Sequence, residues 1–227
     1  MALKIITTSD GSDSLLNTAL NETYHSIHGA IQESQHVFIR AGLEFVIGRS
    51  ASQPINILEV GFGTGLNALM TLKHISELPN QINYTTIEAF PLEDSVWAAL
   101  NYGRQLNCED DYKRLHTCPW EDWNLLTTNF NFKKIHSALQ QVTLLDNEYD
   151  VIYFDAFAPS KQPELWECSI LKKVTDSLCP NGVFVTYCAR GQLKRDLHTL
   201  KMGVETLKGP PGKMEMVRAL KKNELNA

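Results

Sequence analysis

The sequence predicts an α/β protein built on a mostly parallel seven-stranded sheet, with an antiparallel terminal strand and a small N-terminal extension. Three observations lead there. From residue 55 onward, short apolar runs rich in β-branched residues alternate with longer stretches of helical spacing, the order of a parallel sheet covered by helices on both faces. A glycine turn, "GFGTG" at 61–65, joins the first such run to the first such helix. The last two runs flank "PPGK", which is the layout of a hairpin and supplies the antiparallel strand.

Taken in order, residues 1–20 hold two short β-prone stretches around Asp10-Gly11, a hairpin signal. In 21–50, Ile27, Ala30, Ile31, Ser34, Val37 and Phe38 follow helical spacing. The regular part begins at Gln53-Pro54. "INILEV" (55–60) reads as a strand, and "LNALMTLKHISEL" (66–78) as a helix that ends before Pro79. "INYTTIEA" (82–89) is a second strand. "PLEDSVWAALNYGRQL" (91–106) opens like a helix, with proline first and acids in the first turn. Residues 107–128 carry no clear period. "NFKKIHSAL" (131–139), "YDVIYFDA" (149–156) and "GVFVTYC" (182–188) are strands, and "PELWECSILKKVTDSL" (163–178) and "GQLKRDLHTL" (191–200) are helices. "VETLKG" (204–209) and "EMVRALKK" (215–222) form the terminal hairpin. We divide the chain into an extension, 1–50, with hairpin and helix, and an α/β domain, 51–227.

With 227 residues the chain buries a substantial core, and its 43% hydrophobic and 21% charged residues are ordinary for a globular protein. No apolar run approaches the ~20 residues of a membrane span. The N-terminus lacks an apolar stretch followed by a small-residue cleavage site, so a cytoplasmic protein with no membrane partner is expected. The five cysteines are odd in number and form no CxxC pair, so they are read as reduced thiols, and no metal site is expected. A net charge of −5 argues against a general nucleic-acid binder. From Arg190 to Lys222, however, nine lysines and arginines face three acids, a local +6 that leaves the remainder at −11. That segment either meets a polyanion or forms solvated edges.

The functional signal lies at the strand ends. In "ILEVGFGTGLN", Gly61 permits positive φ, Gly63 lets a ligand approach the backbone, and Gly65 opens a helix whose amides face that ligand. The spacing is GxGxG, not the GxGxxG of dinucleotide binders. Glu88 ends the second strand, 23 residues after Gly65, where a carboxylate can accept hydrogen bonds from both ribose hydroxyls of an adenosine. Asp155 ends the strand "YDVIYF". Separate strand ends thus converge on one crevice, where open α/β sheets bind ligands. S-adenosylmethionine suits this crevice better than NAD. The third glycine is missing, with Asn67 or Ala68 near its place, and Glu59 and Asp155 would complement a sulfonium charge. The cofactor-binding candidates are Glu59, Gly61, Phe62, Gly63, Thr64, Gly65, Asn67, Glu88 and Ala89.

The stretches "SIHGAIQESQHVFIRAGL" (26–43), "ILEVGFGTGLN" (57–67), "IEAFPL" (87–92), "YDVIYFDAFAPSKQPELW" (149–166), "GVFVTYCARGQLKRDL" (182–197) and "GPPGKMEMVRA" (209–219) resemble the methyltransferase domain of the MnmC family. These bacterial enzymes complete 5-methylaminomethyl-2-thiouridine at the tRNA wobble position. The resemblance implies a class I, Rossmann-like methyltransferase fold, S-adenosylmethionine as donor, tRNA as partner and the amine of 5-aminomethyl-(2-thio)uridine as acceptor. With no flavin-binding sequence in it, the chain is expected to be a form without the oxidase domain. Asp155 is then the catalytic candidate: amine methylation needs a free lone pair, and a carboxylate in reach orients the amine and takes its proton. Pro159 and Pro163 stiffen the loop after it. Phe157 and Trp166 are candidates to stack on a flipped-out uracil, packing of Trp166 on the sheet being the other reading. Lys161 and Lys213 are candidate phosphate contacts or solvated lysines, and Tyr187 and Arg190 line the acceptor side or serve the fold. Gln32, Glu33 and Ser34 cover the cofactor by resemblance alone. Ser137-Ala138 replaces the family's frequent Gly-Asp, so a backbone carbonyl or another side chain must take the adenine amino group. Rival readings are a small-molecule amine methyl- or aminopropyl-transferase, a non-catalytic cofactor-binding protein and an NAD-linked oxidoreductase. Oligomeric state is left open, a monomer being compatible with the sequence.

Overall fold

The computed structural model describes residues 3–49 and 54–222; the expected boundary at 50/51 lies outside them. The chain opens with β1 (Leu3–Thr7) and β2 (Asp13–Asn17), an antiparallel pair, and β3 (Glu22–Thr23) adds a short third strand. Gly11 turns the hairpin at φ 82°, and Asp10 accepts hydrogen bonds from the Thr8 and Ser12 hydroxyls and from the Gln32 amide. That last bond ties the hairpin to α1 (Ala30–Ser34), which runs into a π-helical stretch (Gln35–Glu44) and α2 (Phe45–Ile47). The helical segment starts later and runs further than the period predicted. Its buried face, including Val37, Phe38 and Leu43, lies on the sheet, and Gly42 permits the contact: a Cβ there would stand 3.1 Å from Val185 and 3.2 Å from Tyr153.

β4 (Ile55–Val60) leads into α3 (Leu66–Ile75) and β5 (Ile82–Glu88). The single helix expected over 91–106 is instead α4 (Asp94–Trp97) and α5 (Tyr102–Leu106). The cause is tertiary. Asn101 is recruited by the N-terminal hairpin, its side chain accepting from the Asp13 amide and donating to the Gly11 carbonyl, both at 2.9 Å. The unreadable region holds α6 (Glu109–Thr117) and β6 (Trp123–Thr127), followed by β7 (Phe130–His136) and β8 (Tyr149–Phe154). The helix expected at 163–178 is a 3₁₀ turn (Pro163–Trp166) followed by α7 (Cys168–Asp176), separated by extended Glu167. Next come β9 (Leu178–Thr186), α8 (Gly191–Thr199), β10 (Met202–Lys208) and β11 (Glu215–Lys221).

The main sheet has eight strands in the order β10-β11-β9-β8-β4-β5-β7-β6, one more than predicted. The addition is the edge strand β6, antiparallel to β7, whose mixed "WNLLT" has no alternation to betray it. β11 is antiparallel to both neighbours, as the terminal hairpin implied. The central strands are buried on both faces, and their pleat divides the core. Ile57, Val151 and Tyr153 face the π-helical stretch and α3, whereas Leu58, Ile152 and Phe154 face α7 and α8. Strand order reverses between β4 and β8, so the crevice at their carboxyl ends is the ligand position of such a sheet. Several cations of the basic C-terminal segment are engaged internally: Lys194 with Glu215, Arg218 with Glu205, and Lys213 with Glu33. No helix among the described residues is long and apolar enough to cross a membrane.

Candidate active site

At the end of β4 the chain turns through Gly61 at φ 94°. A Cβ on Gly61 would stand 2.8 Å from the carbonyl oxygen of Asp155, so only glycine lets β4 and β8 finish side by side. Gly65, at φ 74°, starts α3, and its missing side chain leaves room for His116, whose Nε2 would lie 2.8 Å from a Cβ. The turn is pinned from both sides at Thr64. His25 Nε2 meets its hydroxyl at 2.6 Å, and Tyr112 and His116 donate to its carbonyl at 2.9 and 3.2 Å. Because that carbonyl only accepts, His116 carries its proton on Nε2. Burial holds both imidazoles neutral, pushing His25 down to about 4 and His116 to about 3.

Over this floor lies a cavity of about 690 Å³ at the strand ends, walled by Gly61, Phe62, Gly63, Thr64, Glu88, Ala89 and Asp155. Glu88 lines one wall. Its Oε2 accepts from the Gly63 amide at 2.9 Å and its Oε1 from Phe90 at 2.8 Å, leaving each oxygen a further lone pair. Phe90, Ser137, Ala138 and Gln140 continue that wall. The opposite wall carries Asp155, Glu33, Phe157, Lys161, Tyr187 and Lys213. Lys213 donates to Glu33 at 2.5 Å, its ammonium 3.8 Å from the Tyr187 ring centre. The Tyr187 hydroxyl donates to the Ala156 carbonyl at 2.9 Å. Burial and the charge of Glu33 raise Asp155 to about 7, against the opposing effects of the Asn67 hydrogen bond and Lys213.

The segment after β3 roofs the cavity, a feature with no signal in the sequence because its position depends entirely on packing. Tyr24 meets Phe157 edge-on at 5.0 Å and covers Gly63, while His25 reaches Thr64. Burial and the charge of Glu88 push Tyr24 up to about 12. A larger groove, about 930 Å³, between the π-helical stretch and the far half of α3 shares none of these strand-end residues.

Seven expected site residues lie off the cavity wall: Gln32 lines the other groove, Ser34 is buried against Asn67, and five more lie elsewhere. Trp166 is buried: its indole packs edge-on against Phe154 at 4.9 Å and donates to the Phe157 carbonyl at 2.8 Å, so packing, not base stacking, occupies it. Asn67 is 2% exposed, with its amide spent on Ser34 and Asp155. Glu59 is fully buried behind the glycine turn and forms no cavity wall. Its carboxylate has no hydrogen-bond partner among the described residues although Thr86, Asn67 and Tyr84 surround it, and burial raises it to about 8. Gly65 serves the packing under the helix start rather than the cavity wall. Arg190 caps α8 at the surface, outside the cavity.

The cavity's lining fits S-adenosylmethionine on the chain's own terms: a glycine turn along its wall, the Glu88 carboxylate with spare lone pairs for hydroxyl groups, and the further acids Glu33 and Asp155 to complement a cation. A family model described as S-adenosyl-L-methionine-dependent methyltransferase matches residues 121–222. The fold of a crystal structure of MNMC2 from Aquifex aeolicus covers 99% of this chain and 73% of that one, with a TM-score of 0.79 and 25% identity. These define the class: an S-adenosylmethionine-dependent methyltransferase of the class I, Rossmann-like fold. Among curated relatives, the tRNA 5-methylaminomethyl-2-thiouridine biosynthesis bifunctional protein MnmC of Pseudoalteromonas atlantica is 31% identical over 92% of this chain and 32% of its own length. Its namesake in Nitrosospira multiformis is 27% identical over 90% and 35%. The chain is similar to MnmC proteins over about a third of their length, and its second half matches the methyltransferase family model.

Proposed function

We propose that the chain transfers a methyl group from S-adenosylmethionine to the aminomethyl nitrogen of 5-aminomethyl-(2-thio)uridine at the tRNA wobble position. The observation that carries this reading is Asp155: a carboxylate at the switch point, on the cavity wall, with its affinity for a proton raised to that of a base working near neutral pH. Glu88 would hold the ribose, the turn 61–64 the amino-acid part, and Gln140 or a backbone carbonyl near Ala138 the adenine. When bound, the cofactor supplies an electrophilic methyl carbon on a sulfonium. Asp155 would accept the ammonium proton and aim the nitrogen lone pair, and rate would come chiefly from alignment. Phe157, with Tyr24 beside it, offers an aromatic surface to the uracil, and Lys161 offers charge to the phosphates. The nearness of the names and folds supports the tRNA acceptor.

Mass spectrometry of tRNA nucleosides after incubation with labelled donor tests the reading. The expected product is aminomethyluridine carrying one labelled methyl. Transfer to free amines with tRNA ignored would favour the small-molecule reading. Affinity for tRNA should fall steeply with added salt, as phosphate contacts require.

A further inference from the structure

Asn67 was expected to hold cofactor, yet its side chain never reaches the cavity. It lies in the first turn of α3, 2% exposed, between two partners. Its Nδ2 donates to Asp155 Oδ2 at 2.8 Å, and its Oδ1 accepts from the Ser34 hydroxyl at 2.6 Å. The polarity of this chain is fixed by chemistry. An ionised carboxylate only accepts, so the amide must present its NH₂ to Asp155, and its oxygen then requires a donor, which Ser34 provides. Asp155 Oδ1 has no hydrogen-bonding partner among the described residues, and Asp155 lines the cavity.

We propose that Asn67, keyed by Ser34, is a positioning residue: it grips one oxygen of Asp155, turns the other toward the acceptor nitrogen, and favours the ionised carboxylate. This rests on the reading of Asp155 as proton acceptor. A hydrogen bond donated to a charged form stabilises that form, so the bond opposes the groups that disfavour ionisation. Around Asp155 burial comes first and then Glu33 from α1, while Glu59 at the end of β4 is itself raised by the charge of Asp155, and the phenols Tyr84 from β5 and Tyr187 after β9 stand nearby. Lys213, from the turn between β10 and β11, acts with Asn67. Reversing the amide would require Ser34 to accept and Asp155 to be protonated.

The test uses the full chain with aspartate labelled at its carboxyl carbon. The Asp155 resonance, assigned by its loss in Asp155→Asn, is titrated by NMR in the parent, in Asn67→Leu and in Ser34→Ala. Its midpoint should rise by about one pH unit in Asn67→Leu and by less in Ser34→Ala. The acid limb of kcat/KM for methyl transfer should follow, while S-adenosylhomocysteine affinity changes by less than about threefold. An unmoved midpoint in folded Ser34→Ala and Asn67→Leu overturns the proposal. So does a loss of S-adenosylhomocysteine affinity of about tenfold or more at constant midpoint, which would make Asn67 a cofactor ligand. Should Asn67→Leu not fold, Ser34→Ala decides alone. A parent that methylates nothing would sink the functional reading, and the titration would still decide the coupling.

Discussion

At the scale of single residues, position along a strand proved more informative than residue type. Asp155 and Glu88 were legible because a carboxylate ending an apolar run sits at the sheet's carboxyl edge whatever surrounds it. Replacing Asp155 with Asn keeps shape and removes the base. Methyl transfer should fall by about 10²–10⁴-fold, with S-adenosylhomocysteine binding by calorimetry retained. Trp166 shows the opposite case. Proline-flanked and aromatic, it reads equally as a stacking platform or as a core residue, and only the Phe154 face it packs against decides. Trp166→Phe should cost about 1–2 kcal/mol in urea denaturation through its lost hydrogen bond and contacts, and leave tRNA affinity unchanged in filter binding.

At the scale of elements, the glycine turn carries the argument. Its φ values and the Asp155 carbonyl 2.8 Å from a Cβ on Gly61 make that position intolerant of any side chain. Gly61→Ala should lose about 2 kcal/mol or more in denaturant unfolding and weaken S-adenosylhomocysteine binding, since the turn and Asp155 must separate. Elsewhere local propensity lost to tertiary demand. The pattern over 91–106 is helical, but Asn101 satisfies Gly11 and Asp13 in the hairpin instead of continuing the helix. The edge strand β6 escaped notice because an edge strand needs no apolar alternation to be paired on one side.

Across the whole molecule, buried titratable groups couple stability to pH. His25 and His116 stand at about 4 and about 3 in the fold against 6.5 unfolded, so the unfolded chain binds more protons below 6.5. Their contribution is complete above pH 6.5 and is lost as pH falls toward 4. Asp155 and Glu59, raised to about 7 and about 8 in the fold, act with the opposite sign over much of that window, so the histidine contribution is read by difference: as pH falls from 6.5 to 4, His116→Gln should lose less melting temperature than the parent. Cofactor binding couples to the same equilibrium. S-adenosylhomocysteine at about a hundredfold over its Kd should add about 2.7 kcal/mol, seen as a raised melting temperature, whereas NADH should add nothing.

The sequence by itself determined the seven main-sheet strands other than β6 in their order, the glycine turn and the acids at the strand ends. All of these follow from hydrophobic period and backbone freedom, which are local. Only the tertiary structure decided that residues 22–28 roof the cavity, that Trp166 faces the core, and that Asn67 serves Asp155. Each depends on which surfaces meet across dozens of residues, and side-chain contacts at that range leave no mark in the spacing of the chain.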